Sequence, residues 1–268
     1  MKDVIDVVIP IKDKNDKITR TCLEHLEKTQ RYPFNPILIE DRGESFRFGK
    51  SMNRGISESD SDIIIGMDSD SFPSENAFKD LVDFMEKYPD LGYSGVRVRQ
   101  KEGIGLIETL GWTYGNCTIS SIKIGILSLA PIYTFKKLVK KKIIYDIIGV
   151  NEFVPGMTGQ ATCLFAIRKK CWEDVGGFDE QFRTSYSDVD LCYRIILSDK
   201  WKVSSCPWVS TYHIGHQTRK KEYTKLYNLI GDREKYDKKW PHEKILEVVE
   251  ASKRGKFLIP DEFFRVKE

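Results

Sequence analysis

The chain has 268 residues, 40% of them hydrophobic and 31% charged, which suits a folded domain with a sizeable core and excludes a disordered chain. Its 43 Lys and Arg against 40 Asp and Glu leave a net charge of +3, too small a surplus to make nucleic acid a partner. The six cysteines are scattered without a Cys-x-x-Cys pair, so neither a zinc site nor a disulfide framework is indicated, and a reducing compartment is expected.

In chain order, Val4 to Ile11 is a β-branched run that predicts a buried first strand, and Ile18 to Thr29 carries apolar residues at helical spacing. Pro36 to Glu40 predicts a second strand, closed by Asp41, and Ser51 to Glu58 a second helix. Asp62 to Met67 predicts a third strand, running straight into Asp68-Ser69-Asp70. A helix is expected from Ser74, as its N-cap, to Tyr88, and a fourth strand from Gly92 to Arg99. Residues 100–150 break the alternation and read as an inserted loop or helical segment. Ala161 to Arg168 then predicts a strand, Gly176-Gly177 a turn, Ser187 to Ser198 a helix, and Trp201 to Ser205 another strand. The tail from Lys220 reads as charged and helical up to Trp240-Pro241.

Strands alternating with helices imply an α/β fold, a mostly parallel sheet with helices on both faces. Such sheets bind ligands beyond the carboxyl ends of their strands, so the loops after Pro10, Glu40 and Met67 form the expected ligand wall. There is neither a Gly-x-Gly-x-x-Gly fingerprint nor a phosphate loop, so a bound nucleotide must be held by other means.

Asp68-Ser69-Asp70 is the most informative tripeptide. Two carboxylates one residue apart repel each other unless a cation lies beside them. Oxygen donors select Mg2+ or Mn2+, which bridge to phosphate oxygens. A solvent turn rich in Asp and Ser is the bland alternative, but so apolar a preceding strand favours a site. A phosphatase with a nucleophilic Asp would carry its pair after the first strand, and a nucleotidyltransferase would need a glycine-rich loop there. Neither pattern is present.

An ordered series of motifs carries a resemblance. Val7-Val8-Ile9-Pro10, Ile39-Glu40-Asp41, Asn53-Arg54-Gly55, Asp68-Ser69-Asp70, Gly159 to Arg168, Val175 to Glu180, Ser187-Asp188-Val189-Asp190, His213 and Tyr236 with Lys239-Trp240 follow one another over most of the chain. The chain thereby resembles the family 2 glycosyltransferases of the GT-A fold, the rhamnosyltransferase-like group. The resemblance implies an inverting transfer of sugar from a nucleoside-diphosphate donor to the hydroxyl of a glycan or lipid-linked acceptor, assisted by Mn2+ or Mg2+. It places the nucleotide-sugar site at Pro10, Lys12, Asp41, Lys50, Asn53, Asp68, Ser69 and Gly159. Asp41 would read the base, Asp70 and His213 would hold the metal, with His216 a competitor for His213, and Asp188 would be the catalytic base. Lys50 and Arg54 would assist at the diphosphate. Asp190 is expected to face away from Asp188 and brace its helix. The chain departs from the family at Ser187, where a Glu is usual, and at Ile11-Lys12-Asp13, where an aromatic residue usually stacks near the base. A non-catalytic nucleotide-sugar or glycan-binding module of the same fold is the alternative reading.

By this resemblance residues 1–99 form the donor half of one domain, 100–216 the acceptor and catalytic half, and 217–268 a helical tail. No stretch approaches the ~20 apolar residues that span a bilayer, and the start opens into a strand rather than a signal peptide. A cytoplasmic protein is expected. The apolar run Ile124 to Phe135, followed by five lysines among residues 136–142, suits a peripheral contact of 122–142 with the inner face of the membrane, or alternatively a buried crossover helix.

Overall fold

The computed structural model describes residues 4–41, 46–102, 105–113, 116–123, 157–214 and 226–260, with side chains at 4–41, 46–99, 157–214 and 231–260. The first half alternates as the pattern requires: β1 (Ile5–Ile11), α1 (Lys17–Thr29), β2 (Phe34–Glu40), α2 (Phe48–Glu58) and β3 (Ile63–Met67). After a turn come β4 (Ser71–Pro73), α3 (Ala77–Lys87) and the long β5 (Leu91–Glu102), which continues into β6 (Gly105–Thr113) and β7 (Asn116–Lys123). The second half holds β8 (Met157–Gly159), β9 (Leu164–Arg168), α4 (Lys169–Val175), α5 (Ser187–Ile196) and β10 (Lys202–His213). It closes with α6 (Leu226–Lys239), α7 (His242–Ala251) and β11 (Phe257–Leu258).

The sheet runs β11-β10-β5-β9-β3-β1-β2. β1 is parallel to β2 and β3, and β10 is parallel to β5 and β11. β9 alone runs antiparallel within this series, between β3 and β5. Because β9 reverses twice, β1, β2, β3, β5 and β10 all point their carboxyl ends to one edge. Every position of β1 and of β3 is buried, which explains text that is apolar throughout β3 and broken in β1 only by Asp6. One face packs Val7, Ile9 and Ile65 against Cys22 and Leu26 of α1 and Phe78 and Leu81 of α3. The other packs Val8, Ile64, Tyr93 and Phe165 against Met52 and Ile56 of α2, Leu191 and Ile195 of α5, and Val248 of α7.

Gly66 makes the β3–β9 pairing possible. A Cβ there would lie 2.1 Å from the Phe165 ring, which stacks on Tyr93 at 5.1 Å. Only a residue without a side chain lets that aromatic lie flat on the strand.

Four expectations shift. Residues 100–102, 105–113 and 116–123, expected within an insertion, extend β5 and add the antiparallel β6 and β7; β-branched Ile107, Thr109, Thr118 and Ile119 favour that outcome. Ser74 does not cap α3. Its Oγ accepts from the Ser210 amide at 3.2 Å and its own amide donates to the Ser210 carbonyl, so tertiary pairing consumes the would-be cap. The strand expected to stop at Ser205 runs on to His213, because an irregularity between Cys206 and Ser210 absorbs Pro207. Beyond Trp240 the chain forms a further helix and a strand, and β11 pairs with Val203 and Ser204. The segment 122–142 lies outside the described residues, apart from the backbone at 122 and 123. Among the described residues no helix is long and apolar enough to cross a membrane.

Candidate active site at the carboxyl edge

β3 delivers the acidic turn to this edge. The Asp68 amide donates to the Cys163 carbonyl at 3.2 Å, and the Asp68 carbonyl accepts from the Ser71 amide at 3.1 Å, so the turn is fixed by backbone bonds. β4 then pairs antiparallel with the end of β10, setting Ser71 opposite His213, and the Ile214 amide donates to the Asp70 carbonyl at 3.0 Å. This register brings His213 Nε2 within 3.1 Å of Asp70 Oδ1 and 3.4 Å of Asp68 Oδ2. On the other side of the ring, Cys163 Sγ lies 3.2 Å from Nδ1.

The electrostatics follow from crowding anions in a poorly hydrated place. Burial pushes the Asp68 carboxyl up, the charges of Asp70 and Asp188 push it further, and His213 opposes them. Burial alone would lower His213, but hydrogen bonds to Asp70 and Cys163 and the Asp68 charge outweigh it, so the imidazole is held well above its usual range. The cluster therefore attracts positive charge. Two carboxylates and an imidazole are a donor set that fits Mn2+, with Mg2+ preferring the oxygens alone.

Asp188 sits in the first turn of α5, near the positive end of the helix dipole. Its charge adds to those that raise the Asp68 carboxyl, which puts the start of α5 on the same side of the sheet as the acidic turn. The loop leading to it is held from behind. Tyr186 adopts a left-handed φ of 66° and stacks on Tyr236 of α6 at 4.7 Å. Asp232 of α6, almost wholly buried, accepts the backbone amides of Arg183, Thr184 and Ser185 at 2.9–3.1 Å. Asp190 is turned inward and is fully buried. It accepts from Arg194 Nε at 2.9 Å, Trp240 Nε1 at 2.8 Å and Lys239 Nζ at 2.7 Å. Lys239 also holds Asp179, which ties both ends of the loop to α6.

The remaining expected residues divide. Asp41 follows β2 at the same edge, and its Oδ2 accepts from Ser51 Oγ at 2.9 Å. Ser69 lies half-buried within the acidic turn, and Lys12 and Lys50 are exposed. Pro10 is buried in β1 opposite Ile39, and Gly159 pairs with Trp112. Asn53 is committed to the turn after α4. Its Oδ1 accepts from Trp172 Nε1 and the Phe178 amide, and its Nδ2 donates to the Phe178 carbonyl and Glu180. That turn needs Gly177, at φ +69°, where a Cβ would lie 2.7 Å from Asn53 Oδ1. His216 lies outside the described residues.

Cys163, Asp232 and Lys239 escaped the sequence reading as site or support residues. Cys163 reads as a small core residue, and its meeting with His213 across 50 positions follows only from strand register.

The fold is similar to that of mannosyltransferase PcManGT from Pyrobaculum calidifontis, solved in complex with GDP-Man and Mn2+ (TM-score 0.53, 11% identity, 94% of this chain and 69% of that one). It is similar also to GalNAc-T7 with UDP, GalNAc and Mn2+ (TM-score 0.52, 14% identity, 79% of this chain and 44% of that one). A third likeness is to S. aureus TarS 1-349 in complex with UDP-GlcNAc (TM-score 0.51, 13% identity, 82% of this chain and 61% of that one). The chain thus spans less than two thirds of the GalNAc-T7 and TarS chains, and at these identities the likeness is one of fold. A mixed sheet, mostly parallel in its central series, with helices on both faces and these neighbours defines the class of fold, GT-A. More particularly, the chain belongs to glycosyl transferase family 2, whose profile matches residues 6–169, from β1 through β9 and including the acidic turn. Among curated proteins none matches the chain in sequence.

Proposed function

We propose that the protein transfers a sugar, with inversion, from a nucleoside-diphosphate donor to the hydroxyl of a glycan or lipid-linked saccharide. The observation that carries this reading is the convergence of Asp68, Asp70 and His213 at one strand edge with Asp188 close enough to perturb Asp68. Asp70 and His213 would hold Mn2+ or Mg2+, with Asp68 at the ribose or the ion's water. The ion, when bound, neutralises charge developing on the leaving diphosphate.

The chain's own residues supply the rest. Asp188 takes the proton of the acceptor hydroxyl as its oxygen bonds to the anomeric carbon, and the bond from that carbon to the diphosphate breaks on the opposite face. A half-buried base at a helix start is held in place rather than free to rotate. Asp41, steadied by Ser51, accepts from a base N–H at the far end of the donor. Lys12, Lys50, Ser69, Pro10 and Gly159 complete the donor wall, and Asn53 contributes by fixing the 176–180 turn.

We further place the enzyme in the cytoplasm. The free thiols of Cys22, Cys163, Cys171, Cys192 and Cys206 support a reducing compartment. The apolar and lysine-rich segment 122–142 supports peripheral contact with an anionic leaflet, where a lipid-linked acceptor is presented. Liposome co-sedimentation unchanged after glutamine replacement of the lysines at 136, 137 and 140–142 would remove that contact.

The reaction is tested with UDP-, GDP- and dTDP-sugars in the presence of Mn2+, reading nucleotide release and thermal shift. Wild type is expected to stabilise with one donor class and release its nucleotide slowly, and Asp188→Asn to bind that donor but turn it over at least 100-fold more slowly (about 3 kcal/mol,). A wild type that binds no donor, or an Asp188→Asn that is as fast, would sink the reading.

A further inference from the structure

We propose that Asp68, Cys163 and His213 form a binding site for a thiophilic divalent cation of the Zn2+ class, overlapping the hard-ion site and competing with it. The proposal rests on the reading above only for the competition; the site itself stands on its donor atoms.

One ligand atom each from Asp68, Cys163 and His213 lies within 4.8 Å of the others. Tetrahedral zinc, with bonds of about 2.0–2.3 Å, asks for ligand atoms about 3.3–3.6 Å apart. Cys163 Sγ and His213 Nδ1, at 3.2 Å, already stand at nearly that separation. The backbone bond from the Asp68 amide to the Cys163 carbonyl holds the two residues together just past the end of β3 and just before β9, and with Asp68 Oδ2 standing 3.4 Å from His213 Nε2, closing the set calls for rotation of that carboxylate toward Nδ1.

The histidine is oriented for this role. Nε2 donates to Asp70 Oδ1 at 3.1 Å and Nδ1 faces the Cys163 sulfur, so a cation that takes Nδ1 displaces the proton there and leaves the one on Nε2. A carboxylate behind a metal-binding imidazole is the usual device for fixing tautomer and ring angle. In this arrangement Asp70 supports the soft-cation site from outside it, whereas it is a ligand in the hard-ion site. A sulfur donor is what discriminates, since thiolate and imidazole favour Zn2+ or Co2+, and Mg2+ prefers oxygen throughout. Three protein ligands leave a fourth position open, as in zinc sites that keep a water or a substrate oxygen. On binding, the thiol proton and the Nδ1 proton of the imidazolium pass to solvent, and the lone pairs of sulfur and Nδ1 go to the cation. Cys22, the other thiol near the acids, instead donates to the Ser71 carbonyl at 3.5 Å.

Both cations need His213, and Asp68 stands beside either one, so one excludes the other. Zn2+ at low concentration is therefore expected to inhibit Mn2+-supported turnover competitively with the metal.

Titration of the full chain with Co2+ tests the site. The expected result is thiolate-to-cobalt charge-transfer absorption saturating at one equivalent, absent in Cys163→Ser, retained in Cys22→Ser, and abolished by stoichiometric Zn2+. Zn2+ affinity, read by competition with a chromophoric chelator, should fall at least tenfold in Cys163→Ser, with unchanged far-ultraviolet circular dichroism showing that the variant folds. Cobalt bound without that absorption, or absorption that survives in Cys163→Ser, overturns the proposal. Mn2+ binding followed by electron paramagnetic resonance separates the two readings. Failure of Mn2+ to bind wild type counts against the hard-ion site, while the cobalt signal alone decides the thiolate site.

Discussion

Two groups of acids flank the start of α5, and they are built on opposite rules. Asp190 is fully buried, and Arg194, Lys239 and Trp240 meet its two oxygens. Asp68 and Asp70 keep about a quarter and a seventh of their side-chain surface and share His213 between them. The first group is neutralised within the protein and has no chemistry left to do. The second carries more negative charge than its one imidazole can offset, which is the condition for holding an external cation. Asp188 and Asp190, two residues apart on one helix, fall on opposite sides of this divide, because the first helical turn points one to the sheet edge and the other to α6.

The sharpest way to break the comparison is to neutralise each group in turn. Asp70→Asn should reduce transfer by about 10²–10³-fold, the scale on which one preorganised electrostatic contact acts. Its melting temperature should stay level or rise, since a like charge is removed from Asp68. A variant that loses activity only because it melts would show that the acidic turn is structural. Lys239→Met should do the reverse, because it strips Asp190 and Asp179 of a shared cation. A buried ion pair broken on one side costs about 3 kcal/mol, and chemical denaturation should register it. Mn2+ affinity should be unaffected. If Lys239→Met is as stable as wild type, Arg194 alone suffices and α6 is no brace.

Much of this contrast was legible in the sequence, and the part that was not has a physical reason. The acidic turn announced itself because like charges placed after an apolar strand need a counter-ion, and Asp188 because it opens a helix. His213 was visible through its motif, but its meeting with Asp70 depends on β4 pairing with a β10 that runs past Pro207, which strand rules argue against. Cys163 was invisible as a donor. Buried cysteine is ordinary core material, and nothing in its flanking residues says that a histidine will arrive from another strand. Asp232 looked like one more charge on a charged helix, since three backbone amides leave no mark in the text. The sheet was readable up to the point where β9 reverses, because antiparallel insertion between parallel strands is a tertiary choice.

Asp232 gives a smaller and more selective test. Replacing it with Ala removes the acceptor from the Arg183, Thr184 and Ser185 amides, each of which then relies on water. A loss of about 2 kcal/mol is expected. The same change should let the loop before Asp188 wander, so kcat should drop about tenfold while KM for the donor holds, as expected if the residue positions the base and touches no substrate. A rise in donor KM with kcat intact would assign Asp232 to donor binding instead.

Asp6 offers a third solution to burying an acid, and the gentlest prediction. It lies in β1 at 8% exposure and is held by Asn35 Nδ2, Ser59 Oγ, Ser61 Oγ and the Asp60 amide. Burial works to raise its pKa, but these hydrogen bonds together outweigh burial and hold the carboxyl below the ordinary carboxylate value. A depressed folded-state pKa means that its stabilisation is complete above the unfolded value of about 3.9 and is lost as the pH falls through the folded value. Asp6→Asn should therefore lower stability by about 1 kcal/mol at pH 7, the net worth of a few charge-assisted bonds. The gap between wild type and variant should stay constant from pH 7 to 5 and narrow below about pH 4. Measured as paired denaturation curves, the difference cancels every other titrating group. A gap that widens in acid would mean that the hydrogen bonds favour the protonated acid, and that β1 tolerates Asp6 only as a neutral residue.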